Sequence, residues 1–254
     1  MEQVSSSRRG YFNTTRIAAI AMFSALAGIL YIFNFPIAAA FPSFLEFNFS
    51  DIPTLIGTFT LGPVSGVIIS VIKILLKLVF KGTSTVFVGE LSDLVTSCVF
   101  AVTAGLIYKK KRTFKGALIA MAAGTVAEVA VAILFNWLVL VPFYIQFFFH
   151  GSWEPLIGMM TPLFPDCTKE NFYNFYLWVS VLPFNLMRCL VAVLVTLPVY
   201  KRISNLINKF NAKITPKGDE GGQKTKKINI GAIVAGVVVL ALLVLFALLR
   251  FFVF

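Results

Sequence analysis

Apolar runs of about eighteen residues or more recur along this chain, near 17–34, 52–80, 87–108, 116–144, 174–200 and 229–254. When helical, a run of that length crosses the ~30 Å hydrocarbon layer of a bilayer. Nothing else in the sequence narrows the fold so far. With 13% charged residues and a mean hydropathy of +0.88, the chain lies outside the range of soluble domains. The second run is cut at Gly62-Pro63. Counting its halves separately predicts six helices plus one more at the C-terminus, an all-α integral membrane protein. No cleavable signal peptide is expected, since the first run is too long and no small-residue cleavage site follows it.

The cut run is the least ordinary stretch. An aromatic, weakly acidic loop (Phe44, Glu46, Phe47, Phe49, Asp51) leads into it, with Ser50 or Asp51 placed to cap a helix that carries Pro53 in its first turn. Only about eleven residues follow before the Gly-Pro break, roughly 16 Å of helix, too little to cross the bilayer alone. Broken backbone at membrane depth is tolerated where protein buries it or it lines a cavity. This stretch is therefore expected to form the wall and lip of a binding site.

The net charge of +11 raises a nucleic-acid reading, which the placement of the charge removes. Sixteen of the 22 basic residues fall in three clusters: Arg8, Arg9 and Arg16; Lys109 to Lys111, Arg112 and Lys115; and eight between 201 and 227. All three lie on one side of the membrane if the N-terminus is cytoplasmic. The positive-inside rule thus predicts a multi-pass cell-membrane protein with its C-terminus outside. Cys98, Cys167 and Cys189 form no disulfide framework, and the single histidine, His150, has no ligand-spaced companions, so no metal site is expected. No phosphate-cradling or catalytic motif is present, which excludes ATP hydrolysis by this chain and predicts no catalytic residues.

Polar groups inside apolar runs are functional candidates. Lys73, Lys77 and Lys81 share one helical stripe; Lys77 and Lys81 are expected to snorkel to the interface and Lys73 to face protein or water. The loop with Thr83, Ser84, Thr85 and Gly89 offers hydroxyls and close backbone approach. Glu90 and Asp93 beyond it are explicable by the helix dipole alone. Glu128 is read either as a functional carboxyl or as a packing group. Asn136 offers two donors and an acceptor, suited to the edge of a heterocycle. Asn185 and Arg188, three residues apart after Pro183, point one way at membrane depth. The segment between about 145 and 172, apolar and rich in aromatics, is expected to be a lid or interfacial element. In the first helix Ala18, Ala21, Ala25 and Gly28 make a face of small residues suited to close helix contact, internal or with another protein.

The combination of FSDIP followed by LGP, the GTSTVFVGEL loop, LFNWLVLVPFY and LPFNLMRCLV resembles the riboflavin-binding S components of energy-coupling-factor (ECF) vitamin transporters over residues 14–205. That resemblance implies a six-helix S-component bundle, here with an additional C-terminal transmembrane helix. The implied division is a cytoplasmic N-terminus (1–13), the substrate-binding membrane domain (14–205), a basic cytoplasmic linker (206–228) and the extra helix (229–254). It implies capture of riboflavin from outside, or alternatively of FMN or another vitamin or nucleobase-like ligand. Riboflavin is then a transported ligand and not a cofactor. The implied partners are a transmembrane coupling protein and two ATPase subunits that consume the ATP, besides the lipid membrane itself. Carried over residue by residue, the resemblance places Phe47, Thr85, Gly89, Asn136, Asn185 and Arg188 at the substrate and Ala21 and Ala25 at the coupling protein. Arg188 stands where the family typically has lysine, which keeps the charge but exchanges a point charge for a planar fork. The outer segment at 145–172 and the last helix also depart from the family plan.

Overall fold

The computed structural model describes residues 14–83 and 85–214. The predicted helix at 229–254, the segments 1–13 and 215–228, and Ser84 lie outside the described residues. Eight α-helical segments follow in order: α1 (Thr14–Ile32), α2 (Asp51–Leu61), α3 (Pro63–Lys81), α4 (Val88–Lys110), α5 (Phe114–Phe135), α6 (Val141–Phe143), α7 (Glu154–Met160) and α8 (Leu182–Ile214). Wide π-helical turns at Asn136–Leu140 and Tyr144–Phe148 join α5 to α6 and extend it, and Asn174–Val181 leads into α8 the same way. Five of the resulting helices are long and apolar enough to cross a membrane: Thr14–Ile32, Pro63–Lys81, Val88–Lys110, Phe114–Phe148 and Asn174–Ile203.

The eleven residues of α2 are the exception. Gly62, with φ of 97°, makes the break that a side chain would resist, and Pro63 starts α3 at the position where its missing N–H costs nothing. As the bilayer argument requires, protein surrounds α2: it packs on α1, α3, α4 and α8, and every residue from Pro53 to Phe59 is buried. The cap differs from expectation. Ser50 makes no side-chain cap to α2; its hydroxyl donates instead to Asn48 Oδ1 (2.7 Å) and its oxygen accepts from Lys73 Nζ (2.9 Å). At α5 a cap does form, with Thr113 accepting from the Gly116 amide at 3.0 Å.

Core clusters lie to either side of α2. Leu55, Phe59, Phe100, Ala104, Met121 and Tyr200 join α2 to α4, α5 and α8. Ile20, Phe23, Ala27, Ile56 and Ile69 join it to α1 and α3. The α4 helix approaches the Gly62-Pro63 break so closely that a Cβ on Gly105 would stand 2.8 Å from Thr58 Cγ2 and 3.1 Å from Pro63 Cα. The segment after α5 folds back as a compact cap. In it Leu156 and Met160 of α7 pack with Cys167, Phe172, Tyr176 and Val141, so its apolar residues serve an ordered core. An antiparallel pair of two-residue strands, β1 (Phe35–Pro36) and β2 (Glu46–Phe47), closes the loop ahead of α2.

The first-helix stripe of small residues divides. Ala18, Ala21 and Ala25 are exposed, whereas Gly28 is buried against Leu76 of α3.

Because backbone cannot yield as a side-chain tip can, Gly105→Ala is expected to cost about 1–3 kcal/mol. For a chain of this size that lowers the melting temperature in detergent by several degrees. Gly158→Ala, with nothing within 4 Å of the new methyl, should leave it unchanged or slightly raised.

Candidate functional site

Three cations and four carboxyls meet inside the bundle. Asp51, the first residue of α2, accepts from Lys73 Nζ and from Ser97 Oγ, each at 2.8 Å, and Lys73 also donates to Ser50 Oγ at 2.9 Å. On its other side Asp51 Oδ2 lies 3.5 Å from Arg188 Nε. The guanidinium of Arg188 donates through Nη1 to Asp93 (2.7 Å) and through Nη2 to Glu128 (2.8 Å) and Thr96 (3.2 Å). Glu128 takes a further bond from Cys189 Sγ at 3.1 Å. A second pair, Lys77 with Glu90, is supported by Thr83 and Thr85, whose hydroxyls donate to Glu90 Oε2 at 3.0 and 2.8 Å. At membrane depth a lone charge costs ~3 kcal/mol or more, so pairing is what permits these seven groups.

This network revises several expectations. Lys77 does not snorkel: it is buried against Glu90 with the Tyr31 ring 5.9 Å from its ammonium. Lys81 is exposed, bonding Asn34. Glu90 and Asp93 are ion-pair partners more than dipole complements. Glu128, wholly buried, serves as counter-ion to Arg188. The α2 stretch supplies the lip, through Phe44, Leu45 and Glu46, while the helix itself is a buried strut that presents Asp51.

Above this network lie two joined cavities. One, of about 130 Å³, carries the charged groups and is bounded by Tyr31, Lys77, Glu90, Asp93, Asn185 and Arg188 together with apolar Ala132 and Phe184. The other, of about 280 Å³, is walled by Leu140, Tyr144, Phe149, Tyr176 and by Leu156 and Met159 of the α7 cap. Phe44, Leu45, Glu46, Thr85, Gly89 and Asn136 border both. Asn136 is held by its own Nδ2 donating to Ala132 O (2.8 Å) and by the Tyr176 hydroxyl donating to Oδ1. Asn185 donates to Val181 O at 2.8 Å. Both amides adjoin a π-helical turn followed by proline (Pro142, Pro183), and such turns re-aim side chains at the cost of regular bonding.

Of the residues singled out from sequence, Thr85, Gly89, Asn136, Asn185 and Arg188 converge on the cavities. Phe47 turns the other way, into a cluster with Phe41 and Phe184, because β2 alternates and sends its neighbour Glu46 to the cavity. Ala21 and Ala25 are distant, on the outer face of α1. Sequence reasoning missed Tyr31, Tyr144 and Tyr176, which read as ordinary membrane aromatics; only the proximity of Tyr144 to a proline-broken helix end marked it.

An ion-braced helical bundle enclosing a part-apolar, part-amide cavity defines a membrane-embedded binding protein. Residues 15–200 match the family described as "ECF transporter, substrate-specific component", and the chain belongs to that family. Its members are transporter components, not enzymes. The chain is 30% identical to the riboflavin transporter RibU of Staphylococcus aureus over 76% of this chain and 93% of that one. It is 31% identical to the RibU of Lactococcus lactis (72% and 89%) and 25% identical to the riboflavin transporter FmnP of Bacillus subtilis (71% and 87%). A solved structure described as the S component of a bacterial ECF transporter superposes with a TM-score of 0.58 at 30% identity, covering 76% of this chain and 96% of that one.

Replacing Arg188 by Met strands Asp93 and Glu128, leaves Asp51 with Lys73 as its one cation, and is expected to cost about 3–5 kcal/mol, read as a lowered melting temperature. Adding Glu128→Gln should recover part of that loss, a positive coupling in the double-mutant cycle.

Proposed function

We propose that this chain is the substrate-binding subunit that captures riboflavin from outside the cell for ATP-driven uptake by a separate ECF module. The observation that carries the proposal is the union of an aromatic-walled cavity with a polar one at Asn136, beside Asn185. Riboflavin has the same division: an apolar tricyclic ring, a hydrogen-bonding edge and a hydroxylated tail. The ring suits Phe44, Tyr144 and Tyr176, the edge suits the two carboxamides, and the tail suits Thr85 and the backbone at Gly89. In this arrangement Arg188 acts from below by fixing the wall, its Nη1 and Nη2 being bonded to Asp93, Glu128 and Thr96, while Phe47 supports the closing loop from its core side.

The partner module would comprise a transmembrane coupling protein and two ATPases, with the exposed Ala21 and Ala25 face of α1 as the contact. Small residues there allow close helix approach. The orientation that fits is a cytoplasmic N-terminus, from the basic clusters at Arg16 and residues 109–115.

Titration of the detergent-solubilised protein into riboflavin should quench flavin fluorescence. Unsatisfied bonding of about 1–3 kcal/mol per lost amide predicts that Asn136→Ala or Asn185→Ala weakens binding roughly 5- to 150-fold. Unchanged affinity in both would remove them from the site. Ala25→Trp should leave riboflavin binding intact and abolish uptake in cells expressing the module; normal uptake would move the docking face elsewhere.

A further inference from the structure

The geometry points to a binding site for an anionic phospholipid where the turn between α4 and α5 meets α8, at the end of the bundle opposite the α7 cap. The inference needs only that the chain spans a membrane and does not draw on the riboflavin reading.

Five cations, Lys109 to Lys111, Arg112 and Lys115, run from the last turn of α4 to the first turn of α5, and Lys201 and Arg202 stand on α8. All seven are exposed, and none makes an ion pair among the described residues. The two groups meet, since Lys201 Nζ lies 5.9 Å from the centre of the Phe114 ring. The turn itself is tightly built. Only residues 111–113 separate the two helices, Thr113 caps α5, and a Cβ on Gly116 would collide with the Lys111 carbonyl. Cations presented by so fixed a turn lose little backbone freedom when they take a ligand.

Crowded like charges call for an anion, and none of the eight described carboxyls stands at this end. Asp51, Glu90, Asp93 and Glu128 belong to the ion-pair network, while Glu46, Glu154, Asp166 and Glu170 are exposed at the capped end. What lies beside the cations says which anion fits. Phe114 and Leu118 of α5 and Leu194 and Pro198 of α8 are exposed, and helical spacing lines them up with Lys201 along the stretches that cross the membrane. An occupant that satisfies both parts carries a phosphate on acyl chains; a soluble polyanion would cover the lysines and leave Leu118 and Leu194 untouched. Basic groups between helix ends at the membrane surface suit lipid head groups in this way. Bridged by the phosphate, α5 and α8 are joined at this end, as Arg188 and Glu128 join them deeper in the bundle.

The test is native mass spectrometry of the full chain in neutral detergent, titrated with phosphatidylglycerol or with phosphatidylcholine of the same acyl chains. It compares the wild type, Arg112→Gln/Lys201→Gln, the charge-keeping Arg112→Lys/Lys201→Arg, and a control, Lys81→Gln/Lys169→Gln, which removes two exposed lysines at the capped end. The wild type should bind phosphatidylglycerol at least about tenfold more tightly than phosphatidylcholine. Loss of the two charges at Arg112 and Lys201 should lower that preference about fivefold or more, whereas the charge-keeping pair and the control should leave it within about twofold. Phosphatidylglycerol should raise the melting temperature of the wild type more than that of Arg112→Gln/Lys201→Gln, and inorganic phosphate at the same concentration should raise neither. All four positions are exposed, and the melting temperature of each variant without lipid reports that its fold is kept. Equal affinity of the wild type for the two lipids would overturn the inference. So would a preference indifferent to Arg112 and Lys201, one reduced equally in the control, or a stabilisation that inorganic phosphate matches.

Discussion

The carboxylate of Asp51 is the joint on which the bundle depends. It is the first residue of a helix too short to cross the membrane, and it is held by an ammonium from α3, a hydroxyl from α4 and the guanidinium edge from α8. No apolar contact between those helices would fix α2 in depth, because lipid tails and leucine side chains offer the same surroundings. A buried ion pair loses heavily if displaced, since each partner is left charged in a poor solvent. Asp51 therefore sets both the start of α2 and the relative height of α3, α4 and α8.

From that joint the cavity follows. Arg188, anchored on three carboxyls, keeps α8 at the distance from α4 and α5 at which Asn185 and Asn136 face a common space. The Lys77–Glu90 pair does the same for the turn that carries Thr85 and Gly89. The binding amides are thus placed by charges that need not touch the ligand. The apolar part is built separately, by the cap that folds α7 over the ends of α5 and α8.

How much of this was legible depended on range. The break at Gly62-Pro63, the extent of α2 and the candidacy of Asn136, Asn185 and Arg188 were readable because glycine, proline and intramembrane polar groups each carry a local physical cost. The pairing of Lys77 with Glu90 was not: nothing in a lysine four residues before another distinguishes an interfacial stem from a buried one. Phe47 and Glu46 show a finer limit, since a two-residue strand has no periodicity from which to tell its inward side. Tyr176 could not be separated from the many aromatics around it, and its role appears only once the π-helical segment Asn174–Val181 brings its hydroxyl to Asn136. Membership of the S-component family was carried by the order of four motifs, which local physics alone would not have assembled.

The wide turns ahead of Pro142 and Pro183 have a bearing on how this chain can be compared or redesigned. Each accommodates a residue beyond the regular pitch, so the azimuth of every later side chain on that helix is offset from a continuous helical wheel. Alignments that close such an offset with a gap elsewhere will rotate the lipid-facing and inward-facing sets past one another. Grafting the stretch from Asn174 into α8 onto a straight template would swing Asn185 off the azimuth it holds here even with every residue kept.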